Sequence, residues 1–179
     1  MKNVYWLTLI LLTFLTQPLT GQEKDSLWQA STFSGLKFRS IGPAKMSGRI
    51  ADIAINPRNE NQWYIAVGSG GVWKTDNAGT TWTPVFDNQD CYSTGCITID
   101  PHNDEHIWLG TGENVGGRHV SIGCGIYKSE DGGKNWKNMG LKDSEHLSKI
   151  IVHPGDPNVV WVASQGPLWS KGGERGIYK

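Results

Sequence analysis

The feature that most constrains this sequence is an internal repeat of short apolar stretches, each of which ends at a proline. In every stretch, apolar residues that are mostly β-branched occupy the second and fourth positions before the proline. Such alternation is typical of a β-strand. The three stretches are GRIADIAINP (48–57), STGCITIDP (93–101) and EHLSKIIVHP (145–154). Each proline opens a polar turn, so we expect three copies of one strand-and-turn unit.

Two further apolar segments follow each proline-terminated stretch and predict a second and a third strand. The second strands fall at 63–68, 107–112 and 160–166, and the third strands at 71–74, 125–128 and 176–179. Compared with the first unit, the connection between the second and third strands is ten residues longer in the second unit and eight residues longer in the third. We therefore expect inserted loops in the second and third units.

In two of the units the third predicted strand is followed by the same turn motif. TDNAGTTW (75–82) and SEDGGKNW (129–136) both fit S/T-x-D/N-x-G-x-x-W, the Asp-box or BNR repeat. The motif residues are Thr75, Asn77, Gly79 and Trp82 in the first unit and Ser129, Asp131, Gly133 and Trp136 in the second. The Asp or Asn side chain accepts backbone N–H groups, the glycine adopts a conformation costly for other residues, and the tryptophan folds over the hairpin. We expect these residues to stabilise the fold and not to form a calcium or catalytic site.

Four-stranded units that recur about every 45 to 55 residues, with periodic glycine and aromatic residues, are typical of the blades of a β-propeller. We predict an all-β chain with blade 1 at 49–90, blade 2 at 91–145 and three strands of blade 3 at 146–179. A propeller typically needs about four to eight blades to close. The sequence therefore predicts that 36–179 is an incomplete, N-terminal part of a propeller whose remaining blades belong to a longer chain.

The N-terminal region has the pattern of an export signal. Lys2 precedes an almost wholly apolar run at 4–15, and small residues follow before Gln22. This run is too short for a bilayer span, which needs about 20 residues, so we interpret 1–21 as a signal peptide and expect no membrane span in the mature chain. Residues 22–35 are predicted to be a leader, and 36–43 the latch strand of the last blade. We expect a secreted, periplasmic or cell-surface protein.

The charge and the cysteines exclude some other classes of protein. Seventeen Lys and Arg balance seventeen Asp and Glu, which argues against a nucleic-acid partner. No cysteine pair has zinc-finger spacing, and we expect neither a metal nor a cofactor. Because the chain has three cysteines, at most one internal disulfide can form. Cys91 and Cys96 are the nearest pair, but we favour unpaired cysteines buried in strands.

Five segments give the chain a resemblance to a known family. They are 35–57, AVGSGGVWKTDNAGTTW (66–82), GTGENVGGRHV (110–120), SEHLSKIIVHP (144–154) and QGPLWSKGGERGIYK (165–179). Together they resemble the secreted bacterial proteins described as glycosyl hydrolases with a sortilin-type N-terminal propeller and BNR repeats. That superfamily contains xyloglucanases, sialidases and the peptide receptor sortilin. The resemblance implies the fold, but fold alone does not decide function.

Propeller geometry indicates where a ligand would bind. The start of each first strand (49, 93 and 146) and the loops between second and third strands (68–70, 112–124 and 165–175) should share one face, here called the loop face, opposite the Asp-box turns. The longer loops of such a face usually bind ligands, and polar groups beside a tryptophan suit a glycan or a peptide. The alternative is that these residues form solvated loops and inter-blade salt bridges. The candidate ligand-binding residues are Arg49, Asn114, Arg118, His119, His146, Gln165, Trp169, Lys171 and Arg175.

A glycosidase needs two carboxylates, about 5–9.5 Å apart, that flank the scissile bond. Glu113 is the first candidate, followed by Glu174 and Asp52. The resemblance to xyloglucanases implies an Asp shortly before the paired glycines of the third strand, but Gly68 stands at that place in this chain. The second carboxylate of that family would lie beyond the residues of this sequence.

Three hypotheses for function follow from the sequence. The preferred one is a sortilin-like propeller that binds a glycan or an extended peptide on its loop face. The alternatives are a xyloglucanase-like glycoside hydrolase with one catalytic carboxylate outside this sequence, and a structural module of a secreted assembly.

Overall fold

The computed structural model describes residues 29–36 and 48–179, which belong to two separate units divided after Ser40. In the first unit one short 3₁₀-helix, Ala30–Phe33, lies within the predicted leader. The predicted signal peptide and nearly all of the predicted latch strand lie outside the described residues. No helix in the described part of the chain is long and apolar enough to cross a bilayer.

The second unit consists of three antiparallel sheets, in each of which the strands pair in chain order. The first sheet contains β1 (Ile50–Ile55), β2 (Trp63–Val67), β3 (Gly71–Thr75) and β4 (Thr83–Pro84). The second contains β5 (Thr94–Ile99), β6 (Ile107–Thr111), β7 (Ile126–Ser129) and β8 (Lys137–Gly140). The third contains β9 (Leu147–Val152), β10 (Val160–Ser164) and β11 (Gly176–Tyr178). These sheets are two four-stranded blades and three strands of another. The predicted all-β propeller fold is confirmed.

Apolar side chains fill the two spaces between neighbouring blades. Between blades 1 and 2 the buried cluster includes Tyr64, Phe86, Leu109 and Tyr127. Between blades 2 and 3 a second cluster includes Cys96, Ile126, Leu147, Ile150 and Val162. The alternation seen in the sequence thus buries each sheet against the next blade, as a propeller requires.

The two turns that were predicted as Asp-boxes, 75–82 and 129–136, share three equivalent hydrogen bonds. The hydroxyl of Ser129 donates to Asp131 (2.9 Å) and accepts the N–H of Gly133 (2.8 Å), while Asp131 Oδ1 accepts the N–H of Asn135 (2.8 Å). In the first turn the hydroxyl of Thr75 donates to Asn77 (2.9 Å) and accepts the N–H of Gly79 (3.0 Å), and Asn77 Oδ1 accepts the N–H of Thr81 (2.8 Å). The main-chain and side-chain N–H groups of Asn135 lower the pKa of Asp131 to about 2.

The tryptophans that end the two motifs pack differently. Trp82 lies against Trp63 of its own blade, with 6.4 Å between ring centroids. Trp136 instead reaches the preceding blade, where its Nε1 donates to the carbonyl oxygen of Val85 (2.7 Å) and its ring meets Phe86 edge-on at 5.3 Å. The sequence placed both rings over their own hairpins, whereas the Trp136 ring also joins blade 2 to blade 1.

The prediction of unpaired cysteines was wrong for Cys91 and Cys124 and is confirmed for Cys96. Cys91 forms a disulfide with Cys124, with 6.3 Å between their Cα atoms, and Cys96 is free and buried. Cys96 lies on β5, where it packs into the cluster between blades 2 and 3. Cys91 lies before β5 and packs on the opposite cluster, beside the loop that carries Cys124. The nearest pair in sequence is therefore divided between two different interfaces.

Candidate functional site

One main-chain hydrogen bond recurs in all three blades and defines the loop face. The N–H of the residue after the second strand donates to the carbonyl oxygen of the residue before the first strand. The pairs are Gly68 with Arg49 (2.7 Å), Gly112 with Ser93 (2.8 Å) and Gln165 with His146 (2.9 Å). The Asp-box turns bond instead to the turn between the first and second strands, through Ala78 to Asn61 and Gly132 to Glu105. The two sets of turns therefore lie at opposite ends of the strands.

Glu113 lies where the three blades meet on the loop face. It follows β6 and its side chain is 2% exposed. One carboxylate oxygen pairs with the guanidinium of Arg49, and the other accepts the hydroxyl of Ser69 (3.0 Å). Its carbonyl oxygen lies 2.8 Å from Nδ1 of His146, which donates because a carbonyl only accepts. Side chains from blades 1 and 3 thus hold a residue of blade 2.

The surroundings of Glu113 keep its carboxylate ionised. Burial raises the pKa, but the hydrogen bonds from Arg49 and Ser69 and the positive charge of Arg49 outweigh burial, so the pKa lies below its ordinary value. Near neutral pH this side chain is an anion beside a half-exposed guanidinium. It is therefore unsuited to donate a proton.

A small cavity opens beside this ion pair. Its volume is about 120 Å³, and it is lined by Arg49, Ile50, Ala51, Gly68, Glu113, Asn114 and Val115. A Cβ atom built on Gly68 would lie 2.9 Å from both Cδ and Oε2 of Glu113. The carboxylate of Glu113 therefore occupies the space that a side chain at position 68 would need.

Two more of the predicted ligand-binding residues lie near this cavity. Asn114 lines it, and Gln165 Nε2 donates to the carbonyl oxygen of Asn114 (3.3 Å). Together with Arg49 and His146, these residues and Glu113 form the cluster that the structure brings together. Ser69 also belongs to this cluster and was missed, although its place in the turn between β2 and β3 on the loop face could have identified it.

The other predicted ligand-binding residues lie elsewhere on the loops. Arg118 and His119 are exposed on the blade 2 insert. Trp169 and Lys171 are exposed on the blade 3 insert, where Trp169 has 75% of its surface accessible. Arg175 donates to the carbonyl oxygens of Pro167 and Ser170, and so holds the blade 3 insert. None of these five side chains hydrogen-bonds to Glu113 within the described chain.

The remaining candidate carboxylates have partners away from Glu113. Asp52 Oδ2 accepts the N–H of Ile97 (3.1 Å) and lies 3.7 Å from Nζ of Lys149, so Asp52 contacts both following blades. Glu174 Oε2 accepts the N–H of Asp143 (2.9 Å). Neither carboxylate joins the cluster around Glu113. Across residues 29–36 and 48–179, no group of three or more His, Cys, Asp or Glu side chains is placed to hold a metal ion.

Comparisons with known proteins agree with this fold. No family model matches the chain. A probable oligoxyloglucan-reducing end-specific xyloglucanase of Neosartorya fischeri is 25% identical over 130 residues, and the match covers 65% of this chain and 15% of the relative. The oligoxyloglucan-reducing end-specific xyloglucanase of Emericella nidulans is 26% identical over 171 residues, and the match covers 86% of this chain and 18% of the relative.

A solved structure gives the same result at the level of fold. The crystal structure of an ancestral GH74 enzyme matches with a TM-score of 0.51 and 22% identity, over 70% of this chain and 18% of that chain. The chain spans less than a fifth of the length of these relatives. These proteins support the resemblance to β-propeller glycoside hydrolases in its general form.

Proposed function

We propose that this chain is part of a secreted β-propeller glycoside hydrolase that acts on a glycan of the xyloglucan class at its loop face. The similarity to two xyloglucanases supports the substrate class. The observation that carries the proposal is the ionised, buried carboxylate of Glu113 at the cavity beside Arg49. The predicted signal peptide supports secretion, and the remaining blades would be supplied by the rest of a longer chain.

Glu113 is suited to only one of the two carboxylate roles in glycoside hydrolysis. One carboxyl group must be protonated to donate to the leaving oxygen, and the other must be ionised to activate water or to attack the sugar. Because its pKa is lowered, Glu113 would be the ionised member. The proton donor would then come from outside the described residues.

Gly68 gives this assignment a structural reason. The xyloglucanase resemblance implies a carboxylate at the position of Gly68, where this chain has no side chain. Glu113 comes from the neighbouring blade, and its Cδ and Oε2 lie 2.9 Å from the place where a Cβ atom of residue 68 would be. We infer that Glu113 supplies the carboxylate that position 68 lacks.

A second candidate function is binding of a glycan or an extended peptide without hydrolysis. It is favoured by the fact that both carboxylate oxygens of Glu113 already have partners, Arg49 and Ser69. In this case the ion pair would fix the guanidinium of Arg49, whose side chain is 42% exposed and still has donors for ligand oxygens.

The experiment that separates the two functions is an assay of the full-length protein. Xyloglucan, xyloglucan oligosaccharides and unrelated polysaccharides would be incubated with the protein, and new reducing ends measured together with binding. The proposal predicts new reducing ends from xyloglucan substrates. Tight binding without new reducing ends would support the binding function instead, and neither binding nor turnover would contradict both.

A further inference from the structure

We propose that the glycan site extends beyond Glu113 into a second concavity, the disulfide groove, which holds another stretch of the same neutral glycan chain. This inference rests on the proposed function. The disulfide groove has a volume of about 550 Å³, and its walls are residues 90–93, which link blades 1 and 2, and residues 120–124 of the blade 2 insert. The Cys91–Cys124 disulfide joins the two walls.

The disulfide groove and the Glu113 cavity share the blade 2 insert as a common wall. Glu113 and Asn114 line the cavity on one side, and Val120 to Cys124 line the groove on the other. The two sides are bonded directly, since the N–H of Glu113 donates to the carbonyl oxygen of Ser121 (3.4 Å) and the hydroxyl of Ser93 donates to the same oxygen (2.6 Å). A glycan bound at Glu113 therefore needs to cross only the blade 2 insert to reach the disulfide groove.

Two apolar side chains are exposed at the groove. Tyr92 is 54% and Ile122 is 61% exposed. Tyr92 lies in the link between two complete four-stranded blades and Ile122 in the insert of the second, whereas Ile53 and Ile177 lie on the first and last strands of the described sheets. Neither Tyr92 nor Ile122 therefore lies on a strand that a further blade would cover.

The backbone around Tyr92 is held in place. Its carbonyl oxygen accepts the N–H of Gly71 (2.9 Å), and the adjacent Cys91 is fixed by the disulfide. An aromatic side chain on a fixed backbone loses little conformational entropy when a ligand packs against it, and such preorganisation increases affinity.

The lining of the groove favours a neutral sugar over a charged polymer or a peptide. Asp90 is the one ionisable side chain among its lining residues besides Tyr92, so the groove offers no cation to an acidic polysaccharide. One recurring way to bind an extended peptide is through main-chain bonds to a strand edge, whereas both walls of the groove lie outside the strands. An aromatic face with nearby oxygen acceptors matches the apolar face and the hydroxyl groups of a sugar ring.

The test is isothermal titration of the full-length Glu113→Gln protein, in which turnover is slowed, with xyloglucan oligosaccharides of one and of two repeating units; every further substitution is made in this background. Tyr92→Ala is expected to weaken binding of the longer oligosaccharide about tenfold and to leave the shorter one unchanged. Tyr92→Phe should retain most of the affinity for the longer one. Met139→Ala is the matched control, because Met139 is also exposed but lies on β8 beside the Asp-box turn.

The possible results distinguish this inference from the proposed function. If the Glu113→Gln protein binds both lengths but the added Tyr92→Ala leaves binding of the longer one normal, or weakens both equally, the groove is not a subsite while the proposed function stands. If the Glu113→Gln protein binds neither oligosaccharide but binds peptides, both are overturned. Thermal melting of each variant shows whether a loss of affinity reflects unfolding. Ile122 lines the same groove, so Ile122→Ala is a second, independent test of the proposed subsite.

Discussion

Replacement of Trp136 by alanine is expected to lower the free energy of unfolding of the full-length protein by about 3–5 kcal/mol. The indole N–H bonds to the carbonyl oxygens of Val85 (2.7 Å) and Gly133 (3.0 Å), and the ring packs edge-on against Phe86. The substitution removes this packing and leaves the Val85 carbonyl without its indole donor. Because the contacts cross between blades, both blades should lose stability. Denaturant unfolding, followed by tryptophan fluorescence and circular dichroism, measures the change.

Two variants control for the size and the polarity of this change. Trp169→Ala makes the same substitution at a side chain that is 75% exposed, and should change stability by no more than about 0.5 kcal/mol. Trp136→Phe keeps a ring but loses the indole donor, and should fall between Trp136→Ala and the wild type. Equal effects of Trp136→Ala and Trp169→Ala would show that the inter-blade contact does not stabilise the fold.

The second large effect is expected at Glu113. If the full-length protein hydrolyses xyloglucan, Glu113→Gln should lower kcat about 10²- to 10⁴-fold, the range for loss of a positioned acid or base. The amide keeps the size of the side chain but accepts no proton, so KM should change much less than kcat. Glu130→Gln is the matched control, because Glu130 is exposed within the Asp-box turn on the opposite face and pairs with Lys128.

The pH profile provides an independent check on Glu113. Its pKa is lowered, so the carboxylate remains ionised as the pH falls through the ordinary range of a glutamate. The loss of activity on the acidic side should therefore occur below about 4.5, the ordinary glutamate value. Arg49→Met should move this acidic limb to higher pH, because it removes the main hydrogen-bond donor to the carboxylate. A limb that does not move would show that Glu113 is not the group being titrated.

Local patterns in the sequence were sufficient to predict the strands and the turns. The spacing of Ile53 and Ile55 before Pro57 predicted β1, and the same pattern predicted β5 and β9. The turns at 75–82 and 129–136 were predictable because their hydrogen bonds join residues only two to four positions apart, as between Asp131 and Asn135. Such contacts depend on side-chain chemistry and backbone conformation within one short segment.

Contacts between blades could not be derived in this way. Arg49 and Glu113 are separated by 64 positions, and Cys91 and Cys124 by 33. These contacts depend on how the loops of one blade fold against the neighbouring blade. The periodicity of the sequence does not predict that arrangement. The sequence did place Arg49 and Glu113 on the same face, but the ion pair, the role of Ser69 and the disulfide all required the packed arrangement.

The most direct test of the loop-face site is a crystal structure of the full-length Glu113→Gln variant soaked with a xyloglucan oligosaccharide. Sugar density is expected on the loop face, with one ring at the cavity between Arg49 and Gly68 and a further ring over Tyr92. Density on the opposite face, beside the turns that contain Asp131 and Asn77, would contradict it. So would an empty loop face at concentrations that saturate binding in solution.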